Sequence, residues 1–381
     1  MKHFRAGLLL AAGILATLVP TGPLASLDVT PADRCGDCHR DIYRMWRESK
    51  HALAMENPIF LDAYRDAKQR DGEKVSRTCL GCHSPFAEAI GDLALEQRIT
   101  WEGVNCDYCH SIVAVDDSVQ PPAASIQVGQ VKRGPIPDAE SPGHEVAYSP
   151  LHQQSLVCAP CHEYVNGEGT PIMTTYSEWK SGSAARDGSS CQTCHMELTR
   201  ANVVDPRVMR ESEAQVNLHQ VPGGHSLEQL HRALSVSLNP TRSGEKLNLG
   251  IGITNRGAGH AVPTGMPGRR VILDLLVETS TGKTYREKRV YEKTFFSADD
   301  KGILRDSGFF APGVKLKADT RIQVDERRQE EFTFPLAPDA TAYIAVKLHY
   351  EHAPKGPDEE KIWLTFLSER RVVSPATPPR G

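Results

Sequence analysis

The sequence has few aromatic residues and, after its first 26 residues, no long hydrophobic run. Aromatic residues make up 6% and hydrophobic residues 39% of the 381 residues, which is little core material for a chain long enough to form two domains. The net charge of −4 is spread without a basic run, so a nucleic-acid partner is not expected. Something other than side chains is therefore expected to fill part of the interior.

The N-terminus predicts export. Lys2 and Arg5 precede an apolar run over residues 6–19, and small and turn-forming residues follow up to Ser26. This pattern is typical of a cleaved signal peptide over residues 1–26, with an uncleaved anchor as the alternative. The run is short for a membrane span and no later segment is apolar enough, so no stable transmembrane anchor is expected. We expect a periplasmic protein, or one at the cell surface or outside the cell.

No cysteine lies outside five C-x-x-C-H motifs, so none is left over for a separate disulfide. The motifs are Cys35, Cys38 and His39; Cys79, Cys82 and His83; Cys106, Cys109 and His110; Cys158, Cys161 and His162; and Cys191, Cys194 and His195. Export usually favours disulfides, but a histidine after every second cysteine is the attachment signature of haem c. Zinc sites and thioredoxin-like sites share only the C-x-x-C part.

The spacing within each motif suits covalent attachment of a porphyrin. Two thiols three positions apart on a short helical turn can each bond to one vinyl group, and the next residue then offers an imidazole nitrogen to iron. We therefore expect both cysteines of each motif to lie on one helical turn. The sequence predicts five covalently attached haem c groups, with the ten cysteines holding the rings and the five histidines binding iron.

A second ligand for each iron must come from elsewhere in the chain. We expect His51, His144, His152, His219 and His260 to bind iron, and His225 is a weaker candidate. His231, His349 and His352 are expected to be structural or exposed. Met55, Met173, Met196 and Met266 are alternatives, but histidine on both sides of the iron suits a low-potential electron carrier.

The motifs predict a pentahaem domain over residues 27–230, made mainly of short helices and loops. Helices are expected over 41–54 and 58–68, and a loop over 120–143, which is rich in proline and glycine. Five motifs within 161 residues place neighbouring haems close together, as electron hopping requires.

Residues 231–376 contain no cysteine and change to an alternating pattern of apolar and polar residues. This pattern predicts antiparallel strands and an all-β sandwich of immunoglobulin-like type. The expected strands lie around 234–238, 247–253, 271–277, 332–334, 343–350 and 362–367. His260 lies in a glycine-rich loop between two of them, which could bring it to a haem of the first domain.

Several short segments give the chain a family resemblance. The haem region resembles the tetrahaem cytochrome c and hydroxylamine oxidoreductase superfamily through Trp46-Arg-Glu-Ser-Lys-His51, Gly103-Val-Asn-Cys-Asp-Tyr-Cys-His-Ser111 and Leu151-His-Gln-Gln-Ser. The second half is similar to the sandwich of some members through Leu218-His219-Gln-Val-Pro-Gly-Gly224 and the stretch from Gly259 to Arg270. The resemblance implies distal ligands at His51, His144 and His152, and similar roles for His219 and His260. The sequence departs from pentahaem nitrite reductases because it has no C-x-x-C-K motif.

Three functions remain open from the sequence. The first is electron transfer between redox proteins, such as a quinol dehydrogenase, other cytochromes or a terminal reductase. The second is an oxidoreductase with one open haem that acts on a small nitrogen or sulfur oxyanion, where Arg77, Lys132 and Arg133 could bind anions. The third is a subunit of an oligomer, a cytochrome filament or a surface complex.

Overall fold

The computed structural model describes residues 27–209, 214–303, 305–353 and 361–375. The predicted signal peptide lies outside these residues. The chain has a first part of short helices and loops and a second part rich in β-sheet, so the prediction of a multidomain α-then-β protein is confirmed in this coarse form. Within the described residues, no helix has the length and apolar character needed to cross a bilayer.

Short helices dominate the first part of the chain. They are α1 Ala32–Gly36, α2 Arg40–Arg47, α3 Pro58–Asp71, α4 Glu73–His83, α5 Pro85–Ile90, α6 Cys106–Ser111, α7 Ala159–His162, α8 Thr175–Ser181, α9 Ser183–Arg186, α10 Cys191–His195 and α11 Leu227–Ala233. Helix α3 agrees with its prediction, since Asn57 caps it and Pro58 begins it. The helix predicted over 41–54 is wrong in extent, because α2 ends at Arg47 and a series of turns carries residues 48–56.

Small two-stranded sheets connect these helices. The pairs are β1 Ile112–Asp116 with β2 Ala123–Ile126, β3 Val131–Gly134 with β4 Glu145–Tyr148, β5 Glu163–Val165 with β6 Pro171–Thr174, and β7 Leu198–Ala201 with β8 Ala214–Asn217. The prediction of an irregular loop over 120–143 is therefore wrong, since this segment contains β2 and β3. Both strands are short and half exposed, so they leave little hydrophobic signal in the sequence.

Two antiparallel sheets form the second part. One has the order β14-β10-β9 and the other the order β13-β12-β11-β15-β16. The strands are β9 Leu234–Ser243, β10 Lys246–Asn255, β11 Arg269–Thr279, β12 Thr284–Phe296, β13 Lys315–Asp319, β14 Arg327–Pro335, β15 Ala342–His352 and β16 Ile362–Val373. The six predicted strands fall within β9, β10, β11, β14, β15 and β16, whereas β12 and β13 were not predicted. The β-sandwich and its immunoglobulin-like type stay predictions, as do the domain boundaries.

One hydrophobic core lies between the two sheets. Leu249, Ile251 and Ile253 from β10 meet Leu273 and Leu275 from β11, and all five side chains are fully buried. Alternate residues along a strand point to the same face, so the alternation seen in the sequence delivers these side chains to one layer. This core continues through β15 up to the edge that faces the first part of the chain.

A buried ion pair joins the two parts. The guanidinium of Arg321 is 5% exposed and lies 2.8 Å from Glu178 on α8 and 2.7 Å from Asp319. The other carboxylate oxygen of Glu178 accepts hydrogen bonds from the amide of Ala261 and the hydroxyl of Thr264. Because Ala261 and Thr264 follow His260 in the same loop, the ion pair fixes that loop against the first part of the chain.

Candidate haem-binding site

Each motif lies on a short helix or at its end. In α6 and α10 the first cysteine begins the helix, so the second cysteine follows one turn later and the histidine comes next. The side chain of Asn105 accepts a hydrogen bond from the amide of Tyr108 at 3.0 Å, and Ser190 caps α10 in the same position. These caps satisfy amides at the helix start that have no partner within the helix.

The first motif disagrees with the expectation that both cysteines lie on one helix. Cys35 lies in α1, but that helix ends at Gly36, and Cys38 lies in the turn that follows it. The amide of Cys38 still donates to the carbonyl of Cys35 at 3.2 Å, whereas the carbonyl of Cys38 accepts from the amide of Asp205 at 2.7 Å. Because this carbonyl is bound by a distant segment, the helix does not continue through Cys38. The half-buried Cys38 thiol keeps the one-turn spacing from Cys35, and its attachment to haem stays a prediction.

Among the other motifs, the second and fourth differ in how much of the motif is helical. Cys79 and Cys82 both lie within α4, as expected. Cys158 precedes α7 and belongs to a short 3₁₀ turn over Ser155–Cys158, so only one of the two cysteines of that motif, Cys161, is within the helix. The expectation of one helical turn is therefore wrong in detail for Cys38 and Cys158.

The motifs meet one another in pairs. The thiol of Cys35 lies beside that of Cys106, Cys82 beside Cys161, and Cys158 beside Cys191, close enough to shift the pKa of these thiols. All ten cysteines, including Cys38 and Cys194, are free thiols, as thioether attachment to haem requires. The first motif therefore adjoins the third, and the fourth adjoins both the second and the fifth.

Four motif histidines face a second histidine at nearly constant distance. The ring centroids are 6.1 Å apart for His39 and His144, 5.7 Å for His110 and His152, 6.2 Å for His162 and His51, and 6.2 Å for His195 and His260. An imidazole nitrogen lies about 2 Å from the iron it binds, so two rings on opposite sides of one iron have centroids about 6 Å apart. The observed spacing fits an iron between the rings of each pair.

Backbone carbonyls fix the orientation of most of these rings. Nδ1 of His39, His110 and His195 lies 2.6, 2.5 and 2.6 Å from the carbonyl oxygens of Val203, Arg133 and Pro222. Nδ1 of His144 and of His260 lies 2.9 Å from the carbonyl oxygens of Glu145 and Ala261. A carbonyl only accepts, so Nδ1 carries the proton and Nε2 keeps its lone pair for a metal.

Burial favours the neutral form of five of these imidazoles, which is the form that binds iron. It lowers the pKa of His83 and of His110 to about 4 and that of His162 to about 3. It also lowers the pKa of His51 and of His260. A buried imidazolium would lose its hydration, so the neutral ring is favoured, and metal binding needs no deprotonation at neutral pH.

His83 of the second motif has different surroundings. Its ring stacks on Phe60 with centroids 3.7 Å apart, and its Nδ1 is buried without a hydrogen-bond partner. Within the residues that the structure describes, no second histidine ring packs with it, although His51 is near enough to lower its pKa. Met55 is fully buried in the same cluster as Phe60 and Leu80.

The remaining predicted ligands are less simply placed. Nδ1 of His219 lies 2.6 Å from the carbonyl oxygen of Asn217. His39 is near enough to help lower the pKa of His219. His219 and His144 are thus two candidates near the first motif. Nε2 of His152 is 2.8 Å from the carbonyl oxygen of Cys109. His225 packs against His352 and Tyr350 rather than against a motif histidine.

The sequence did not single out some of the polar residues near these histidines. His352, expected to be structural or exposed, is 8% exposed and packs against His225. Glu178 was not a candidate, although it holds the His260 loop. The possible anion ligands are already engaged: Lys132 forms an ion pair with buried Asp107, and exposed Arg77 lies 3.8 Å from Glu88.

Comparison with known proteins agrees with the motif pattern. The family model described as cytochrome c554 and c-prime matches residues 34–111, which contain the first three motifs. The crystal structure of a pentahaem cytochrome c552 from Thermochromatium tepidum has the same fold, with a TM-score of 0.71 at 21% identity, covering 90% of this chain and 99% of that one. These findings support a multihaem c-type cytochrome.

Other comparisons add no argument about the fold of this cytochrome. The E. coli curli protein CsgC aligns with 36% of the chain and 96% of its own at 12% identity, but its TM-score is 0.18. No curated protein matched the cytochrome.

Proposed function

We propose that the protein is a pentahaem electron carrier of the periplasm or cell surface in which most haems are bound by two histidines. The observation that carries this proposal is the set of four histidine pairs with ring centroids 5.7–6.2 Å apart. The proposed pairs are His39 with His144, His110 with His152, His162 with His51, and His195 with His260. An iron with six ligands has no open position, which suits electron transfer rather than substrate binding.

The contacts between motifs support a continuous route through the protein. Cysteines of the first and third motifs touch, and the fourth touches the second and the fifth. Cys109 of the third motif is also near enough to raise the pKa of Cys158 and Cys161. We infer that electrons pass along motifs one, three, four and five, with the second beside the fourth.

The residues present fit haem c, which would supply one-electron redox chemistry when bound. The ten cysteines would hold the rings and the paired histidines would bind iron, through Nε2 where a backbone carbonyl accepts from Nδ1; His152 would first have to release Nε2 from the carbonyl oxygen of Cys109. What the protein itself does is to orient the imidazoles, keep them neutral and exclude water. Redox protein partners are expected for such a carrier; their identity stays a prediction, as do export and assembly into an oligomer or filament.

A direct test is to purify the exported protein and measure its mass and its electron paramagnetic resonance spectrum. We expect the mass of the mature chain plus five haems, with low-spin signals from at least four. The variant His144→Ala should convert one haem to high spin if His144 binds the first iron. His219→Ala is the matched variant, and conversion by His219→Ala instead would assign that ligand to His219. The proposal of an electron carrier is refuted if three or more haems of the wild-type protein are high spin.

One observation favours a second function. Because His83 stacks on Phe60 and no second histidine ring packs with it within the described residues, its haem could keep an open position for a small nitrogen or sulfur oxyanion. Addition of nitrite or cyanide should then change the spectrum of one haem. If the spectrum of the wild type is unchanged by both, this second function is excluded.

A further inference from the structure

Four polar side chains form a cluster at the edge of the β-sheet that faces the first part of the chain. They are His225, which precedes α11, Arg269 at the start of β11, and Tyr350 and His352 at the end of β15. Arg269 is the cross-strand partner of His352, and Val271 is that of Tyr350. The ring of His225 lies 5.7 Å from both the ring of Tyr350 and that of His352. We call these four residues the edge cluster.

Each residue of the edge cluster has a buried polar atom with no hydrogen-bond partner. These atoms are Nε2 of His225, Nε of Arg269, the hydroxyl of Tyr350 and Nδ1 of His352. Leaving a buried polar group without a partner destabilises the folded protein, because the group has lost its hydrogen bonds to water. Native proteins rarely leave such groups unpaired, so four in one place indicate a partner that is not a side chain.

The donors in the edge cluster define the chemistry of that partner. The guanidinium and the phenol donate, and a neutral imidazole offers one donor, whereas a carboxylate accepts at about four lone-pair positions. The acidic residue within this strand segment is already engaged, because Glu351 points to the opposite face and pairs with Arg270 at 2.5 Å. A carboxylate bound to Arg269 would form a strong charge-assisted hydrogen bond.

The edge cluster lies beside the fourth motif. Arg269 is near enough to His162 to lower its pKa, and both Arg269 and Lys50 lower the pKa of His225. Lys50 immediately precedes His51, whose ring faces that of His162. The edge cluster therefore adjoins the two proposed ligands of one iron, and a haem held between them would carry its carboxylates at its outer rim.

We propose that His225, Arg269, Tyr350 and His352 form a carboxylate-binding site that takes a propionate of the haem attached at Cys158 and Cys161. This proposal rests on the proposed function, since it requires that haem. The same donors would suit a free carboxylate, so the test must separate the two sources. In the first case the edge of the β-sheet binds a carboxylate of a haem that is attached to the first part of the chain. In the second case it binds a free carboxylate that enters between the two parts.

The test compares the complete haem protein with the variants Arg269→Gln and Tyr350→Phe. Arg242→Gln is the matched control, because Arg242 also has a buried unpaired Nε but binds the carbonyl oxygens of Ala337 and Ala340 at the other end of β9. Spectroelectrochemical titration gives the midpoint potentials and resonance Raman spectroscopy gives the propionate bending bands. Both are recorded with and without acetate, after the haem content has been counted by mass. Tyr350→Phe keeps the ring, so it serves if Arg269→Gln does not fold.

If a propionate occupies the site, Arg269→Gln lowers one midpoint potential, because the oxidised iron loses a nearby positive charge that opposed it. Arg269→Gln and Tyr350→Phe then both shift a propionate band. Arg242→Gln changes neither the midpoint potentials nor the propionate bands, and acetate has no effect. A potential that responds to acetate only in the wild type supports the carboxylate site and assigns it to a free anion. Identical potentials and bands in the wild type and both variants, with and without acetate, overturn the proposal. A wild-type mass with fewer than five haems contradicts instead the proposed function.

Discussion

The two parts of the chain are held together by different means. In the second part, buried side chains from both sheets form one continuous hydrophobic core. In the first part, the described residues form several small clusters, and the cluster around Trp46 joins little more than Ala32 and Ala52. The β part can exclude water with its own side chains. The helical part has paired histidines and cysteines where a core would otherwise lie.

This difference suggests how a large domain with few hydrophobic residues can still bury enough apolar surface. Hydrophobic burial stabilises a protein in proportion to the apolar area removed from water, and a haem supplies such area without adding residues. We therefore expect the first part to depend on its cofactors for its core, and the second part not to do so. The following predictions test this contrast, from the largest expected effect to the smallest.

Production of the protein without haem should give the largest difference in stability between the two parts. We expect the full-length chain produced without haem attachment to lose amide protection over 27–209 and to keep it in β10, β11 and β15. Hydrogen exchange followed by mass spectrometry measures both, with the haem-loaded protein as control. Equal protection of both parts in the haem-free chain would show that the first part has a sufficient core of its own.

Breaking the ion pair that joins the parts should cost about 3–5 kcal/mol of unfolding free energy. Arg321→Met removes the buried cation and leaves Glu178, which is 11% exposed, without it, while Asp319 is more exposed. Urea denaturation measures the loss, and the haem spectrum reports the His260 loop. Arg371→Met is the control, because Arg371 is half exposed and its pair with Glu369 contributes little. Equal losses from the two variants would refute a special role for Arg321.

A cavity in the β core should destabilise the second part without changing the haems. Leu249 is 1% exposed, and Leu249→Ala is expected to lower the unfolding free energy by about 2–5 kcal/mol. The same substitution at Leu316, which is 40% exposed, provides the control. Thermal unfolding followed by circular dichroism at strand wavelengths measures the effect. A change in the haem spectrum of Leu249→Ala would mean that the two parts are not separate in packing.

Helix capping offers the finest comparison. Asn105 caps the motif helix α6 and Asn57 caps α3, which carries no motif. Replacing either with alanine should cost about 1 kcal/mol, measured by denaturation. Only Asn105→Ala should also alter haem absorption, because it loosens the turn that carries Cys106 and Cys109. Identical spectra for the two variants would show that the cap does not position the motif.

The sequence predicted what local patterns determine. Motif spacing indicated the multihaem class, and alternation of apolar residues located six strands of the second part. The charged strand β12 was missed because its sequence contains Arg286, Glu287, Lys288 and Arg289 within one run. Its buried residue Tyr291 hydrogen-bonds Glu330, so its place in the sheet depends on neighbours rather than on its own pattern.

Features that depend on distant contacts could not be predicted. The edge cluster exists because the register of β11 and β15 places Arg269 opposite His352, and no local signal gives that register. Cys38 was expected on a helix, but its carbonyl binds the amide of Asp205, which is remote in sequence. The pairing of His51 with His162 rather than with a nearer motif likewise follows from tertiary structure. Assignment of each distal histidine to one iron stays a prediction.

Gly103 shows how closely separate motifs are interlocked. Its φ is +63°, and a side-chain carbon there would lie 2.3 Å from the carbonyl oxygen of His51. The amide of Val104 donates to that same carbonyl at 3.0 Å, while the carbonyl of Val104 accepts from the indole of Trp46. The backbone that leads into the third motif thus packs against and hydrogen-bonds the backbone of His51. The ring of His51 faces His162 of the fourth motif. A side chain at Gly103 would therefore displace His51 and disturb the third and fourth motifs together.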